Sequence, residues 1–261
     1  MERINNKSRS IKAIMVLLLL SVGIAANAQK MSYLDLSVNY AELKDQSNYG
    51  LIFKGPNVQV GYTFDLKTTT RRFRFESEFG FGASFARGIA GINFNFKPVQ
   101  LDYLFAIDFS NSTLWIGPYA AVRYNYHLYP ELHSGHTYWF TAIDIGPCLN
   151  FETQVLEKQV AVNLVTTIYS ITSRPAYEKE DYFYFLQFSD ILKNANSDLS
   201  FSLQDKRYYV ELDFVLKDFS PKGWSFIYTL SQSFYEGSPK ANYLTNTISF
   251  RKQLGMKKSK S

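Results

Sequence analysis

The chain has 261 residues, of which 46% are hydrophobic and 17% aromatic, and its formal net charge at pH 7 is +5. Most of this charge lies in the first 28 residues, which carry four basic side chains and one acidic side chain, so the remainder has a net charge of only 5 − 3 = +2. This balance excludes nucleic-acid binding as a role. The single cysteine, Cys148, excludes an intramolecular disulfide.

The first 28 residues have the organisation of a secretory signal peptide. Basic residues are followed by an apolar run from Ala13 to Ala26, and Ala26-Asn27-Ala28 forms a small-x-small cleavage site before Gln29. We therefore expect residues 1–28 to be removed and residues 29–261 to form one domain, since all-β units of this size are common. A new N-terminus that is not cysteine makes a lipid anchor unexpected.

Beyond the signal, stretches of about ten residues alternate between apolar and polar side chains. Between Arg72 and Phe85 the odd positions are mainly phenylalanine and the even positions are charged or small. Successive side chains of a strand point to opposite faces, so such a strand separates an apolar medium from a polar one. Ten strands are predicted at Leu34–Tyr40, Val58–Leu66, Arg72–Phe85, Ile89–Ile107, Leu114–Tyr126, Trp139–Phe151, Val160–Ile168, Tyr208–Leu216, Trp224–Phe234 and Leu244–Phe250.

The fourth of these strands decides the count. Its apolar residues change from even to odd positions near Pro98, and proline has no N–H group to donate to a neighbouring strand. We therefore predict a β-bulge there. If Lys97–Gln100 is instead a turn, the count rises to eleven and, with one further strand, to twelve. The sequence thus predicts an all-β fold, a transmembrane antiparallel up-and-down β-barrel of about ten strands, with twelve as the alternative.

The lengths of the connections favour ten strands. Short connections are predicted at Lys67–Arg71, Phe109–Ser112, Thr153–Lys158 and Asp218–Gly223, and longer ones at Glu42–Pro56, His127–His136 and Ser173–Lys206. The connection Ala86–Gly88 is the exception, because it should be one of the longer connections but is short. Such alternation is typical of barrels with brief periplasmic turns and extended outer loops, and an even strand number places both termini in the periplasm.

The segment from Ser173 to Lys206 is the one large outer loop. Within it, Asp181–Lys193 is predicted to form a short helix, with an extension of two strands as the alternative. The aromatic residues of this segment are expected to cap the barrel mouth, with contact to a partner as the alternative. Arg174 opens the loop. It is expected to bind carboxylates of the lumen, with contact to anionic lipid headgroups as the alternative.

Polar residues at the strand positions that alternate with the apolar ones are expected to face the lumen. They are Asp35, Asn39, Gln59, Asp65, Arg72, Arg74, Glu76, Glu78, Asp102, Arg123, Asp144, Glu152, Arg207, Glu211 and Asp213. Side chains nearly fill a barrel of this size, so the mixed charges are expected to pair into a network. A selective pore usually has a ring of one sign, which this set lacks. Cys148 shares the inward parity and has no redox motif beside it.

The whole mature chain resembles the small outer-membrane β-barrel proteins of Gram-negative bacteria. The resemblance rests on the leader, the strand periodicity and aromatic residues near strand ends, namely Tyr62, Trp115, Tyr126, Tyr138, Tyr208, Trp224 and Tyr243. It implies an outer-membrane location, with outer-membrane lipids and the barrel-insertion machinery as partners. Many such barrels end on an aromatic residue, whereas residues 251–261 follow Phe250 here, so an internal insertion signal around Ile248–Phe250 is expected.

A cluster of three histidines is the only candidate for chemistry. His127, His133 and His136 surround Ser134 and Glu131, but His133 and Ser134 are adjacent and would face opposite sides of a strand. The arrangement does not match the His-x-Ser spacing of outer-membrane lipid hydrolases, or a common zinc pattern. We therefore assign no catalytic, cofactor-binding or metal-ligating residue and no cofactor.

The expected function is accordingly non-enzymatic: a structural role, surface interaction or narrow passage of a small solute. Two alternatives remain open. The first is an outer-membrane lipid or lipopolysaccharide acyl hydrolase that uses the histidine cluster. The second is a soluble periplasmic β-protein that turns its apolar face inward around an apolar ligand, since alternation alone does not orient a sheet.

Overall fold

The computed structural model describes residues 28–132, 138–174, 199–220 and 223–254. Residues 1–27 of the predicted signal peptide and the predicted helix at Asp181–Lys193 lie outside these ranges. Within them, no helix is long and apolar enough to cross a membrane.

The described residues form twelve strands and one short 3₁₀ turn, Gln46–Asn48. The strands are β1 Gln29–Asp45, β2 Ile52–Lys67, β3 Arg71–Ala86, β4 Ile89–Phe109, β5 Ser112–Leu128, β6 Tyr138–Val155, β7 Lys158–Thr166, β8 Tyr169–Ser173, β9 Ser200–Leu203, β10 Arg207–Ser220, β11 Trp224–Tyr235 and β12 Ala241–Leu254.

The strands close into a barrel of ten antiparallel positions. Neighbours along the chain pair from β1 to β7, β7 pairs with β10, and β12 returns to pair with β1. The short β8 and β9 are two additional strands: β8 continues the pairing of β7 along β6, and β9 pairs with β8 before the chain enters β10. The prediction of ten barrel strands is confirmed.

The strands are strongly staggered. Following paired residues around the ring from Phe151 on β6 through Val162, Phe214 and onward leads back to β6 at Trp139, a displacement of 151 − 139 = 12 residues. A stagger of this size with ten strands corresponds to a tilt of roughly 40°. Side chains nearly fill the interior of such a barrel.

The predicted bulge in β4 is confirmed. β4 runs without interruption through Pro98, and its register shifts by one residue against β3 and against β5 at this position. Inward positions are therefore odd before the bulge, as at Asn95, and even after it, as at Asp102.

The two ends of the barrel differ. The end that carries both termini, called the terminal end below, has short connections at 68–70, 110–111, 156–157 and 221–223, as predicted. The opposite loop end has connections at 46–51, 87–88, 129–137, 174–199 and 236–240. Strands extend further towards the loop end than predicted, so the first long connection shortens from Glu42–Pro56 to 46–51. Extra ladder bonds between β1 and β2 stabilise this extension.

The barrel is apolar outside and charged inside. Outward side chains such as Val38 (57% exposed) and Phe79 (52% exposed) form its surface, whereas Asp102, Asp144 and Arg207 inside are fully buried. The alternative of a soluble barrel with its apolar face inward is wrong in this respect. An apolar outer surface of this extent is the arrangement of a barrel surrounded by lipid.

Candidate functional site

The barrel interior contains all fifteen residues that were predicted to face the lumen. Each is buried or half-buried on the inward parity of its strand. The geometry separates them into groups at different heights along the barrel axis, and the groups have different chemistry.

An apolar cluster, called the mouth plug, closes the loop end. It consists of Ala41, Leu43, Phe53, Ala86, Tyr129, Tyr138, Phe140, Ala142, Ala241 and Tyr243. Tyr129 follows β5 and inserts into the mouth, where its ring centroid lies 4.0 Å from that of Phe53. The large members have at most 7% exposure, so the mouth is filled by packed side chains.

An ion pair lies beside the mouth plug. Arg174, the first residue after β8, pairs with Asp45 at the end of β1, and both side chains are buried. Its guanidinium also lies over the rings of Tyr138 and Tyr235, at 5.3 and 5.9 Å from their centroids. The prediction that Arg174 binds a carboxylate of the lumen is confirmed, and the pair ties the start of the large loop to the first hairpin.

The terminal end holds a compact ion-pair cluster. Arg72 lies 2.5 Å from Asp65 and 2.9 Å from Glu152. Glu152 also accepts from Lys67 at 2.6 Å and from Lys217 at 2.8 Å. Each charge here has a partner of opposite sign, which offsets the cost of removing it from water.

The middle of the lumen has a second network, whose hub is Asp144. This carboxylate pairs with Arg123 at 3.0 Å and with Arg207 at 3.3 Å, and it accepts a hydrogen bond from Ser170 at 2.6 Å. It joins strands β5, β6, β8 and β10 across the lumen.

Further ion pairs extend this network. Arg74 lies 2.6 Å from Asp102, Lys97 lies 3.3 Å from Glu76, and Arg251 lies 2.7 Å from Asp35. Lys97 also reaches Glu78 at 3.2 Å. The predicted mixed network is confirmed, and the described lumen has no ring of one charge sign.

A central cavity of about 130 Å³ lies between the mouth plug and the terminal cluster. One wall carries the long charged side chains, and the other carries short hydroxyl side chains of β1, β11 and β12 that leave the space open. The hydroxyl wall is Ser37, Thr229, Ser231, Ser233, Thr245, Thr247 and Ser249. This wall was not predicted, although alternating serine and threonine in β11 and β12 indicate it.

The histidine cluster is not assembled in the described part of the chain. His127 is inward on β5 and fully enclosed, with Tyr138 and Tyr243 rings at 5.2 and 5.4 Å, and neither ring nitrogen has a hydrogen-bond partner. Glu131 is exposed and lies near the amide of Ala90 instead. His133, Ser134 and His136 lie outside the described residues.

Cys148 is enclosed by the central network. Its sulfur donates to Asn163 at 3.4 Å and lies 3.9 Å from Arg74 Nη2, with no exposed surface. Burial of this kind is typical of an inert thiol. Within the described ranges, no group of three or more His, Cys, Asp or Glu side chains is arranged to hold a metal ion.

Among known proteins, the chain is similar to solved structures of low sequence identity. No family model and no curated protein matches the chain. Solved structures that are similar include the translocator domain of the autotransporter NalP from Neisseria meningitidis, with 10% identity, a TM-score of 0.38 and coverage of 96% of this chain and 98% of that one. The outer membrane protease OmpT from Escherichia coli has 6% identity and a TM-score of 0.41, with coverage of 88% and 97%.

The attachment invasion locus protein Ail of Yersinia pestis has 10% identity and a TM-score of 0.33, with coverage of 87% and 99%. At these values the likeness carries no argument about activity, substrate or partner. The barrel geometry itself confirms the resemblance in architecture to small outer-membrane β-barrel proteins.

Proposed function

We propose that this chain is a non-enzymatic outer-membrane protein that acts in the membrane and at its outer surface, and that does not pass bulk solute through its lumen. The observation that carries this proposal is the mouth plug. A lumen filled at one end by Leu43, Phe53 and Phe140, each with at most 1% exposure, offers no continuous aqueous path.

The outward face of β1 supports a position across a membrane. Its apolar residues run from Leu34 to Tyr40 and are followed towards the loop end by Glu42 and Lys44. Glu42 forms an exposed ion pair with Lys54 of β2 at 2.7 Å, an arrangement expected in water and not in lipid. At the terminal end, Lys252 lies over the Trp224 ring at 5.4 Å, as expected at an interface.

The orientation follows from the connections. Short turns and both termini share one end, which we assign to the periplasm, and the longer connections then face the outside. Binding residues are commonly carried by loops on a rigid scaffold. The Arg174–Asp45 pair ties the first residue after β8 to the first hairpin at this end of the barrel.

Cell fractionation tests the location. The mature chain should be recovered in the outer membrane, should begin at Gln29, and should migrate faster in gels before boiling than after it. Recovery among soluble periplasmic proteins would contradict the proposal.

Planar bilayer recording tests the closed lumen. The purified barrel should give no stable conductance steps. Steps that change when Arg72 or Glu76 is neutralised would instead support solute passage. The hydrolase alternative is tested by incubation with phospholipid and lipid A, and activity lost on changing His127, His133 or Ser134 would support it.

A further inference from the structure

We propose that the barrel forms a dimer in the membrane, in which a second copy of this chain packs against the outward face of β11, β12, β1 and β2. This goes beyond the proposed role at the outer surface and does not depend on what the loops bind. The proposal rests on an amide in the apolar outer surface and on a groove beside it.

Side-chain amides on the outside of the barrel are confined to one hairpin. In the described strands, asparagine and glutamine occupy outward positions only at Gln232 of β11 and at Asn242 and Asn246 of β12. Gln232 Nε2 donates to Asn242 Oδ1 at 3.2 Å. These two amides lie near the rim at the loop end, because Asn242 pairs with the outward Lys44 of β1. Asn246 lies further from the rim.

Asn246 is a polar residue within the apolar outer surface. On the outward face it is surrounded by four large side chains, those of Leu244, Ile248, Leu230 and Tyr40. Tyr228 Oη donates to Asn246 Oδ1 at 3.2 Å, whereas Asn246 Nδ2 donates to no side chain of the described residues. Lipid tails contain no acceptor for these N–H groups, so a polar partner that reaches this depth would stabilise them.

A shallow outer groove of about 660 Å³ adjoins Asn246. Its lining includes small and aromatic outward side chains, namely Val38, Val58, Val60, Tyr40, Tyr228 and Phe250. On one side it is bordered by β3, where Phe79 and Phe81 pair with the two valines of β2. Two smooth cylinders touch only along a narrow line, whereas a groove between larger side chains allows two barrels to interdigitate and to pack closely.

The chemistry of this face favours a second copy over a different partner. Two copies inserted in the same direction are related by a two-fold axis along the membrane normal, so each residue meets the other copy at its own depth. An amide suits this symmetry because it has both donors and an acceptor. Nδ2 of Asn246 in each copy can donate to Oδ1 of Asn246 in the other, which keeps a lone pair beside its bond from Tyr228. The rim is self-complementary as well, since Glu42 and Lys54 carry opposite charges side by side.

Cysteine cross-linking in lipid vesicles tests the position of the contact. Ile248→Cys places a thiol at the outward position of β12 next to Asn246. Ile145→Cys on β6 is the matched control, because both isoleucines point outward and are 47% exposed. The mature chain is reconstituted at a low ratio of protein to lipid and is then oxidised. Ile248→Cys should give a disulfide-linked dimer, whereas Ile145→Cys and the unchanged chain, whose Cys148 is enclosed, should not.

Energy transfer between copies labelled at the mature N-terminus, measured as lipid is added, tests the amide. Asn246→Leu should raise the dissociation constant of the dimer about tenfold, because two reciprocal hydrogen bonds are lost in an apolar medium. Asn242→Leu is the control. The same change at the rim, where water competes for the amide, should alter the dissociation constant less than about threefold.

Heat-dependent gel mobility verifies that each variant folds. Equal cross-linking of the two cysteine variants, or an unchanged dissociation constant in the folded Asn246→Leu variant, would overturn the proposal. A chain that stays monomeric at every ratio of protein to lipid would overturn it too, and would leave the Asn246 amide to the carbonyl groups of lipids.

Discussion

Asp144 shows how one residue stabilises the middle of the lumen. Its side chain is fully buried, and two arginines, Arg123 and Arg207, depend on the same carboxylate oxygen. The strand parity predicted that Asp144 faces inward. It did not predict the sharing, because Arg207 comes from β10, which is distant in the sequence and pairs with β7 rather than with β6.

The change Asp144→Asn keeps the shape and removes the charge. Two guanidinium groups then lose their partner in an enclosed site, and we expect a loss of about 3–5 kcal/mol in the free energy of unfolding. Urea titration of the micelle-bound barrel, followed by gel mobility, measures this loss. The exposed Glu42→Gln should change stability by less than about 1 kcal/mol. Equal losses for the two variants would contradict the role of Asp144 as a hub.

At the scale of elements, the mouth plug closes the loop end of the lumen. It combines the ends of several strands with Tyr129 from the connection after β5. Truncating both rings of the closest pair, in Phe53→Ala/Tyr129→Ala, removes packed volume from the mouth. We expect brief conductance steps in planar bilayers, which the unchanged chain lacks.

Phe79→Ala is the control for this experiment, since Phe79 is an outward residue on β3. It should leave the bilayer silent. If the double variant is equally silent while still folded, another segment closes the lumen.

The bulge in β4 gives a second prediction at this scale. β4 has one residue more than its partners between Lys97 and Gln100, where Glu76 and Glu78 of β3 enclose a single residue. Deleting Pro98 removes the extra residue and leaves every other side chain on its own face, so we expect a folded, heat-modifiable barrel.

Deleting Leu101 instead should prevent folding, because a shift of one residue exchanges the two faces of a strand and moves Asp102 towards lipid. Gel mobility without boiling distinguishes the two deletions. A folded barrel from the Leu101 deletion, or none from the Pro98 deletion, would show that the register is set elsewhere.

The sequence predicted the features that depend on a single strand, and it did not predict those that depend on closure of the barrel. Parity within a strand is local, so the lumen residues, the bulge and most turns were predicted. The Arg174–Asp45 pair, the insertion of Tyr129 and the cavity depend on the stagger of twelve residues and on closure, which bring distant positions to one height. The break between β7 and β8 marks a change of partner strand from β10 to β9, which the local pattern does not encode.

For the whole molecule, the polar side chains lie inside and the apolar side chains lie outside, which is the reverse of a soluble protein. The barrel is held by its closed ladder and by the paired charges of its interior, while its surface needs an apolar surrounding. The hydroxyl wall and the charged wall face each other across the lumen, so the interior is asymmetric around the axis as well as along it.

Because lipid surrounds the apolar face, the free-energy cost of an outward charged side chain should depend on its position along the strand. Val38 and Ser32 both point outward on β1, with Val38 in the middle of the apolar stretch and Ser32 near its terminal end. In a bilayer, Val38→Arg should cost about 2–4 kcal/mol and Ser32→Arg about 0–1 kcal/mol. Reversible unfolding in lipid vesicles measures both. Similar small costs at the two positions would mean that β1 does not cross the hydrocarbon at Val38, and the membrane-spanning assignment would fail with it.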